Sequence, residues 1–174
     1  MDFEIISDEV KTPEVDLGLL INAKNKLPMR HQIMMLEDQL KAMPQVELKT
    51  SHHFADGLYA REMFIPAGTM LTGAVHLFEH INIISQGDIS VVTEEGTKRI
   101  QAPATLVSLP GTKRVGYAHT DTIWTTIHAT GATTVEAAEA ELVVADHSGK
   151  SYAEAMAEMK LINESRHHIQ DHTL

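Results

Sequence analysis

The stretch GTMLTGAVHLFEHINIISQG, residues 68–87, decides how this chain is read. It opens after the turn signal Pro66-Ala67-Gly68 and closes on another, Gln86-Gly87-Asp88. Between the two lie short apolar runs, Thr69–His76 and His80–Ser85, each of strand length. Two histidines, His76 and His80, stand at the junction. On one straight strand they would be about 13 Å apart, at roughly 3.3 Å per residue. Ligands of a single ion each lie only about 2.0–2.2 Å from the metal. A shared site therefore requires a bend at Leu77-Phe78-Glu79.

The texture on both sides is the same. Upstream, Val46–Lys49 alternates, and in the next run Leu58, Ala60, Glu62 and Phe64 oppose Tyr59, Arg61, Met63 and Ile65. Downstream come Ile89–Thr93, Lys98–Gln101, Ala104–Ser108, Arg114–Tyr117 and Thr122–His128. Glu94-Glu95-Gly96, Ala102-Pro103 and Pro110-Gly111 separate them. Many short strands at this spacing predict an all-β sandwich or barrel. His52-His53 precede a strand and read as loop residues.

Helical patterning is confined to the flanks. Pro28 suits a first-turn position, and Met29, Ile33, Leu36, Leu40 and Met43 share one face before Pro44 ends the element. Residues 1–27 read as an extended arm with a short helical piece near Val15–Ala23. Residues 133–142 are weakly helical, and Leu142–Ala145 adds a short strand. A last helix is expected over Ser151–Ile162, with Ser151 and Glu154 as a capping box, then a frayed polar tail, Arg166–Leu174. The chain so divides into an N-terminal arm and helix (1–44), a β-barrel (45–146) and a C-terminal helix and tail (147–174).

Composition limits the function classes. The 174 residues suffice for one domain with a core. The formal net charge of −10 disfavours nucleic-acid phosphate as a partner. Without cysteine there is neither a disulfide framework nor a thiolate metal site. No apolar run reaches membrane-spanning length, and Met1-Asp2-Phe3-Glu4 lacks a signal-peptide core, so no membrane partner is expected. No nucleophile elbow, P-loop or dinucleotide fingerprint occurs.

The central stretch resembles the first motif of the cupin family. That motif has a Gly, a pair of His, a Glu, and a turn Gly seven positions after the Glu. Here Gly87 is the turn Gly, His80 occupies the Glu position, His76 matches the second His, and Ala74 stands at the first. Pro110-Gly111-Thr112-Lys113-Arg114 resembles the second motif, with Arg114 at its His position and His119 five residues later. The chain also resembles cupin-like proteins encoded by tailed bacteriophages. Tyr59–Glu62, Ile65–Thr69, Glu79–Ile83, Gly87–Ile89, Pro110–Arg114, Tyr117–His119 and Trp124–His128 carry that likeness.

The resemblance implies a mainly β fold, a cupin-type double-stranded β-helix (a jelly-roll barrel) with flanking helices. It also implies a host-cytoplasmic or virion setting. It places His76, His80 and His119 as candidate ligands of a divalent metal such as Zn, Fe, Mn, Ni or Cu. Glu79 or Glu62 would act as base or fourth ligand. The alternative for the histidine pair is a metal-free polar pair at the barrel mouth. Arg114 offers an inward fork for carboxylate or phosphate, or a surface ion pair, with Arg61 and Lys113 as further basic candidates. Tyr59 or Trp124 would stack on a ligand ring, and His128 is either a ligand contact or a packed core histidine. Two functions follow: a small-molecule-binding cupin, possible enzyme included, or a structural or accessory phage protein using the barrel for assembly. A homodimer or higher homo-oligomer is expected, since open sheets and Met-bearing helices leave apolar surface to cover.

Overall fold

In the computed structural model, residues 27–144 are described. The expected arm, the Val15–Ala23 piece, the helix over Ser151–Ile162 and the terminal tail lie outside them.

Among the described residues, helix α1 (Met29–Lys41) is followed by nine strands and a short helix, α2 (Val135–Leu142). The strands are β1 (Lys49–Ala55), β2 (Leu58–Ile65), β3 (Met70–Thr72), β4 (His80–Gln86), β5 (Asp88–Thr93), β6 (Gly96–Gln101), β7 (Ala104–Ser108), β8 (Val115–Ala118) and β9 (Thr122–Ala129). They form a five-stranded sheet in the order β1-β2-β9-β4-β7 and a four-stranded sheet in the order β3-β8-β5-β6. Every strand pair is antiparallel. The chain crosses repeatedly between the sheets, and the fold is a mainly β jelly roll.

Side-chain alternation sets what each face does. Ile65, Ile84, Ile89, Val91, Ala118 and Trp124 fill the space between the sheets. Val92, Val115 and Tyr117 turn to the outer face of the four-stranded sheet, where Ile33, Met29 and Leu36 of α1 cover them. The periodic stripe read along the first helix is thus a docking face for the chain's own sheet, except that Met43 lies beyond the helix and is exposed. Lys113 anchors the helix further, its buried ammonium donating to Glu37 Oε1 at 2.7 Å and to the Gly73 carbonyl at 3.0 Å.

Some local expectations need correction. Pro28 is the residue before α1, and its carbonyl accepts from the amides of His31 and Gln32. His52 and His53 belong to β1, not to a loop, because β1 pairs with β2 along its whole length. The run expected over Thr69–His76 keeps only Met70–Thr72 as strand. In place of a strand after α2, Val143 makes a single antiparallel bridge to His76.

Between β4 and β5 the chain turns at Gly87, whose φ of 100° lies in the left-handed region. A Cβ there would lie 2.6 Å from the Asp121 carbonyl oxygen, so both backbone angle and space call for glycine.

Candidate metal centre

The segment after β3 leaves the sheet, and the bend required between the two histidines falls at Leu77 and Phe78. The loop is clamped from two sides. The Gly111 amide donates to the His76 carbonyl at 2.8 Å, the Leu77 amide to the Leu142 carbonyl at 2.9 Å, and the Val144 amide to the Val75 carbonyl at 2.9 Å. His76 is thereby fixed by the β7–β8 turn and the end of α2. His80 opens β4, and β4 pairs with β9 in a register that includes Ile81↔Ile127. One step along, His80 lies beside His128, and His76 closes over both.

The three rings converge. Their centroids are 4.5 Å (His76–His80), 4.6 Å (His76–His128) and 4.6 Å (His80–His128) apart. One ligand nitrogen from each lies within 4.8 Å of the others. The Nδ1–H of His80 donates to the Phe78 carbonyl at 2.9 Å, which leaves its Nε2 lone pair free for a metal. The Nδ1 atoms of His76 and His128 are buried without a hydrogen-bond partner among the described residues. Leaving such atoms unsatisfied costs about 1–3 kcal/mol each.

Burial keeps these rings neutral. It is the largest influence on His76, reinforced by His80, His128, Arg114 and Arg61, and lowers its pKa to about 3. Burial, then His80, lowers His128 to about 4. His80 is lowered as well, by burial first, against the opposing Phe78 carbonyl bond. Neutral imidazoles are the form that ligates divalent transition metals, so the donor set fits such an ion.

The cavity beside the triad has a volume of about 180 Å³. Its polar lining includes Arg61, His76, His80, Asn82, Arg114 and Thr126, and its apolar lining Met63, Ile65, Leu71, Ile89, Val91 and Trp124. Asn82 ties the polar wall together. It accepts from Trp124 Nε1 at 2.9 Å and donates to Ser108 Oγ at 2.8 Å. Arg114 donates to the same Ser108 oxygen and lies over the Trp124 ring, 5.6 Å from its centroid. It is half-buried, lines the cavity and makes no ion pair among the described residues. Arg114, Trp124 and Val91 also border a second cavity, of about 340 Å³, under the β5–β6 hairpin.

Other candidates lie elsewhere. His119 is outside the triad: its Nε2 sits 2.7 Å from Ser90 Oγ and its ring meets Tyr117 edge-on. Ser90 and Tyr117 face outward, so the four-stranded sheet separates His119 from the cavity. Glu62 alternates out of the barrel and lies near Thr125 on the outer face of the five-stranded sheet. Glu79 is exposed and lines neither cavity. Neither carboxylate is in place to act as base or fourth ligand. Tyr59 packs against Ala138 and Leu142, with its hydroxyl 2.7 Å from His52 Nδ1, and so supports α2 instead of stacking on a ligand. His128, read equally as core or contact, holds the third corner of the triad. Its signal was the period-two series Trp124, Thr126, His128, but nothing local set the register against β4.

No family model matches the chain, and no curated protein matches it. Several solved structures are similar over about half of its length. A cupin domain from Bordetella pertussis is 15% identical, with 51% of this chain and 98% of that one covered and a TM-score of 0.41. An RmlC-like cupin from Shewanella frigidimarina is 18% identical, with 47% and 75% covered and a TM-score of 0.42. KdgF from a Halomonas species is 16% identical, with 49% and 84% covered and a TM-score of 0.43. No helix among the described residues is long and apolar enough to cross a membrane.

Proposed function

We propose that this protein binds a small polar or anionic molecule inside its barrel, through a divalent metal held by His76, His80 and His128. The observation that carries the proposal is the convergence of three neutral imidazoles beside a cavity that His76 and His80 line. Zn, Fe, Mn and Ni all suit imidazole ligands, and a three-ligand set leaves positions for water or ligand. Such an ion would polarise a carbonyl or phosphoryl oxygen, or lower the pKa of bound water. The chain's own residues orient and enclose the ligand. Arg61 and Arg114 supply positive charge, Trp124 and its neighbours exclude water, and among the described residues no Asp or Glu lines the cavity to serve as base. That lining favours binding or metal-centred chemistry over carboxylate acid–base catalysis.

Elemental analysis of protein purified without a polyhistidine tag tests this reading. About one equivalent of a transition metal is expected, lost when His80 and His128 are both replaced by Ala. Metal-free protein that takes up none of the four ions would end the metal reading.

The motif likeness to tailed-phage proteins supports a setting in infected bacterial cells. Mass spectrometry of purified virions would separate a soluble role from a structural one. The paired residues Ile81 and Val107, with Leu109 nearby, are exposed on the outer face of the five-stranded sheet, which supports association with a second copy of the chain. Sedimentation of the wild type beside Val107→Glu tests it: a dimer that the variant dissociates is expected, and a wild-type monomer excludes it.

A further inference from the structure

The two arginines of the cavity are not equivalent. Arg114 is committed to Ser108 Oγ and the face of Trp124. Arg61 projects inward from β2 between Tyr59 and Met63, opposite Thr126 of β9. Its Nε is buried with no hydrogen-bond partner among the described residues, and it borders His76 on two sides, in the main cavity and in the crevice toward His128. Neither guanidinium has an ion-paired carboxylate among the described residues. Positive charge drawn partly out of water without a counter-charge carries a desolvation cost, and an anion supplied by a ligand offsets it. The rest of the lining is mainly apolar, with Met63, Ile65, Leu71, Ile89, Val91 and the Trp124 ring. The volume of about 180 Å³ lies below the ~300–1,000 Å³ typical of pockets for drug-sized molecules.

We infer that the cavity's ligand class is a small organic carboxylate with an apolar body, and that Arg61 is the residue that receives the carboxylate. The planar fork of a guanidinium matches a carboxylate with two parallel bonds, and the unpartnered Arg61 Nε is one such donor. Arg114 holds the Trp124 wall in place behind it. Inorganic phosphate would satisfy the arginine but leave the apolar wall empty. The inference rests on the ligand-binding reading of this cavity and not on its metal.

Trp124 is the only tryptophan in the sequence and lines both this cavity and the one under the β5–β6 hairpin, so its emission reports on the two together, and the Arg61 variants assign a change to this one, because Arg61 lines only this one of the two. Titrations of the full chain with 3-methylbutanoate, its amide and inorganic phosphate, each in EDTA-treated and Zn-loaded protein, test the inference. The expected result is a saturable emission change with the acid in both forms, with the amide and phosphate weaker by about ten-fold or more. Arg61→Gln should abolish the preference for acid over amide, and Arg61→Lys should retain part of it. Equal affinity for acid and amide in the wild type overturns the inference without any variant. So does an unchanged preference in Arg61→Gln, or phosphate binding as tightly as the acid. Failure to bind the acid in both forms overturns it while leaving metal uptake, measured separately, intact. Acid binding in protein that takes up no metal upholds it after the metal reading has failed.

Discussion

His80 and His128 face each other across adjacent antiparallel strands, with ring centroids 4.6 Å apart. Forty-eight positions separate them in sequence, and the β4–β9 register alone makes them neighbours. His76 joins them from a loop clamped by backbone hydrogen bonds to Gly111 and Leu142. A site held by a strand ladder and a pinned loop is organised before any ligand arrives.

Replacement of one triad member should show this. His80→Ala or His128→Ala should weaken Zn binding by about 100-fold or more, beyond the loss typical of residues that only orient a ligand. His119→Ala should leave it unchanged, because His119 bonds Ser90 on the outer side of the sheet. Competition with a chromophoric chelator measures both. Equal losses for His119→Ala and His128→Ala would contradict the assignment.

The neutral state of the triad sets a pH dependence. In the unfolded chain these histidines titrate near pH 6.5, whereas folded His76 and His128 titrate at about 3 and about 4. Between those limits the unfolded state binds more protons, so stability rises with pH. The metal-free protein should therefore lose thermal stability as pH falls from about 6.5 toward about 4. A His76→Gln, His128→Gln variant should show a flatter profile over that range. Melting curves across pH test this, and identical slopes would contradict it.

Lys113 anchors α1 to the barrel through Glu37. Burial raises the Glu37 pKa, but the Lys113 and Thr72 hydrogen bonds outweigh it and hold the carboxyl below its usual range. This contribution is present at neutral pH and is lost as acid protonates Glu37. Lys113→Ala leaves the carboxylate partly buried without its cation and should cost about 3 kcal/mol in urea unfolding. Lys98→Ala, which removes a surface pair, should cost less than about 1 kcal/mol.

Gly87→Ala should destabilise the protein by about 1–3 kcal/mol, since the new side chain meets both a positive φ and the Asp121 carbonyl. Gly57→Ala shares the positive φ but meets no atom within 4 Å, and should cost less. Chemical denaturation of the pair separates backbone strain from crowding.

Much of the barrel was legible because β signals are local. Alternation from Leu58 to Ile65 and from Ala104 to Ser108 marked strands whose observed limits are the same. The alternation also held the orientation of Arg61 and Glu62: the first shares a face with Tyr59, Met63 and Ile65, the second does not. The site was less legible because it depends on pairing between distant strands. His76 and His80 stand out by their closeness in sequence, but the third partner is fixed by register, which no local pattern carries. His119, nearer to the second motif, looked the better third ligand until β8 placed it outside. His52 and His53 were misread because their strand has an exposed face and lacks an apolar signal. Lys113 stood only as a further basic candidate beside Arg114, because its partner, Glu37, lies on a helix 76 residues away.

The most direct test is anomalous diffraction at the zinc edge from crystals of the untagged protein soaked in Zn. One strong peak is expected, within about 2.0–2.2 Å of a nitrogen on each of His76, His80 and His128. A triad with no peak, or a peak at His119 in its stead, would contradict that.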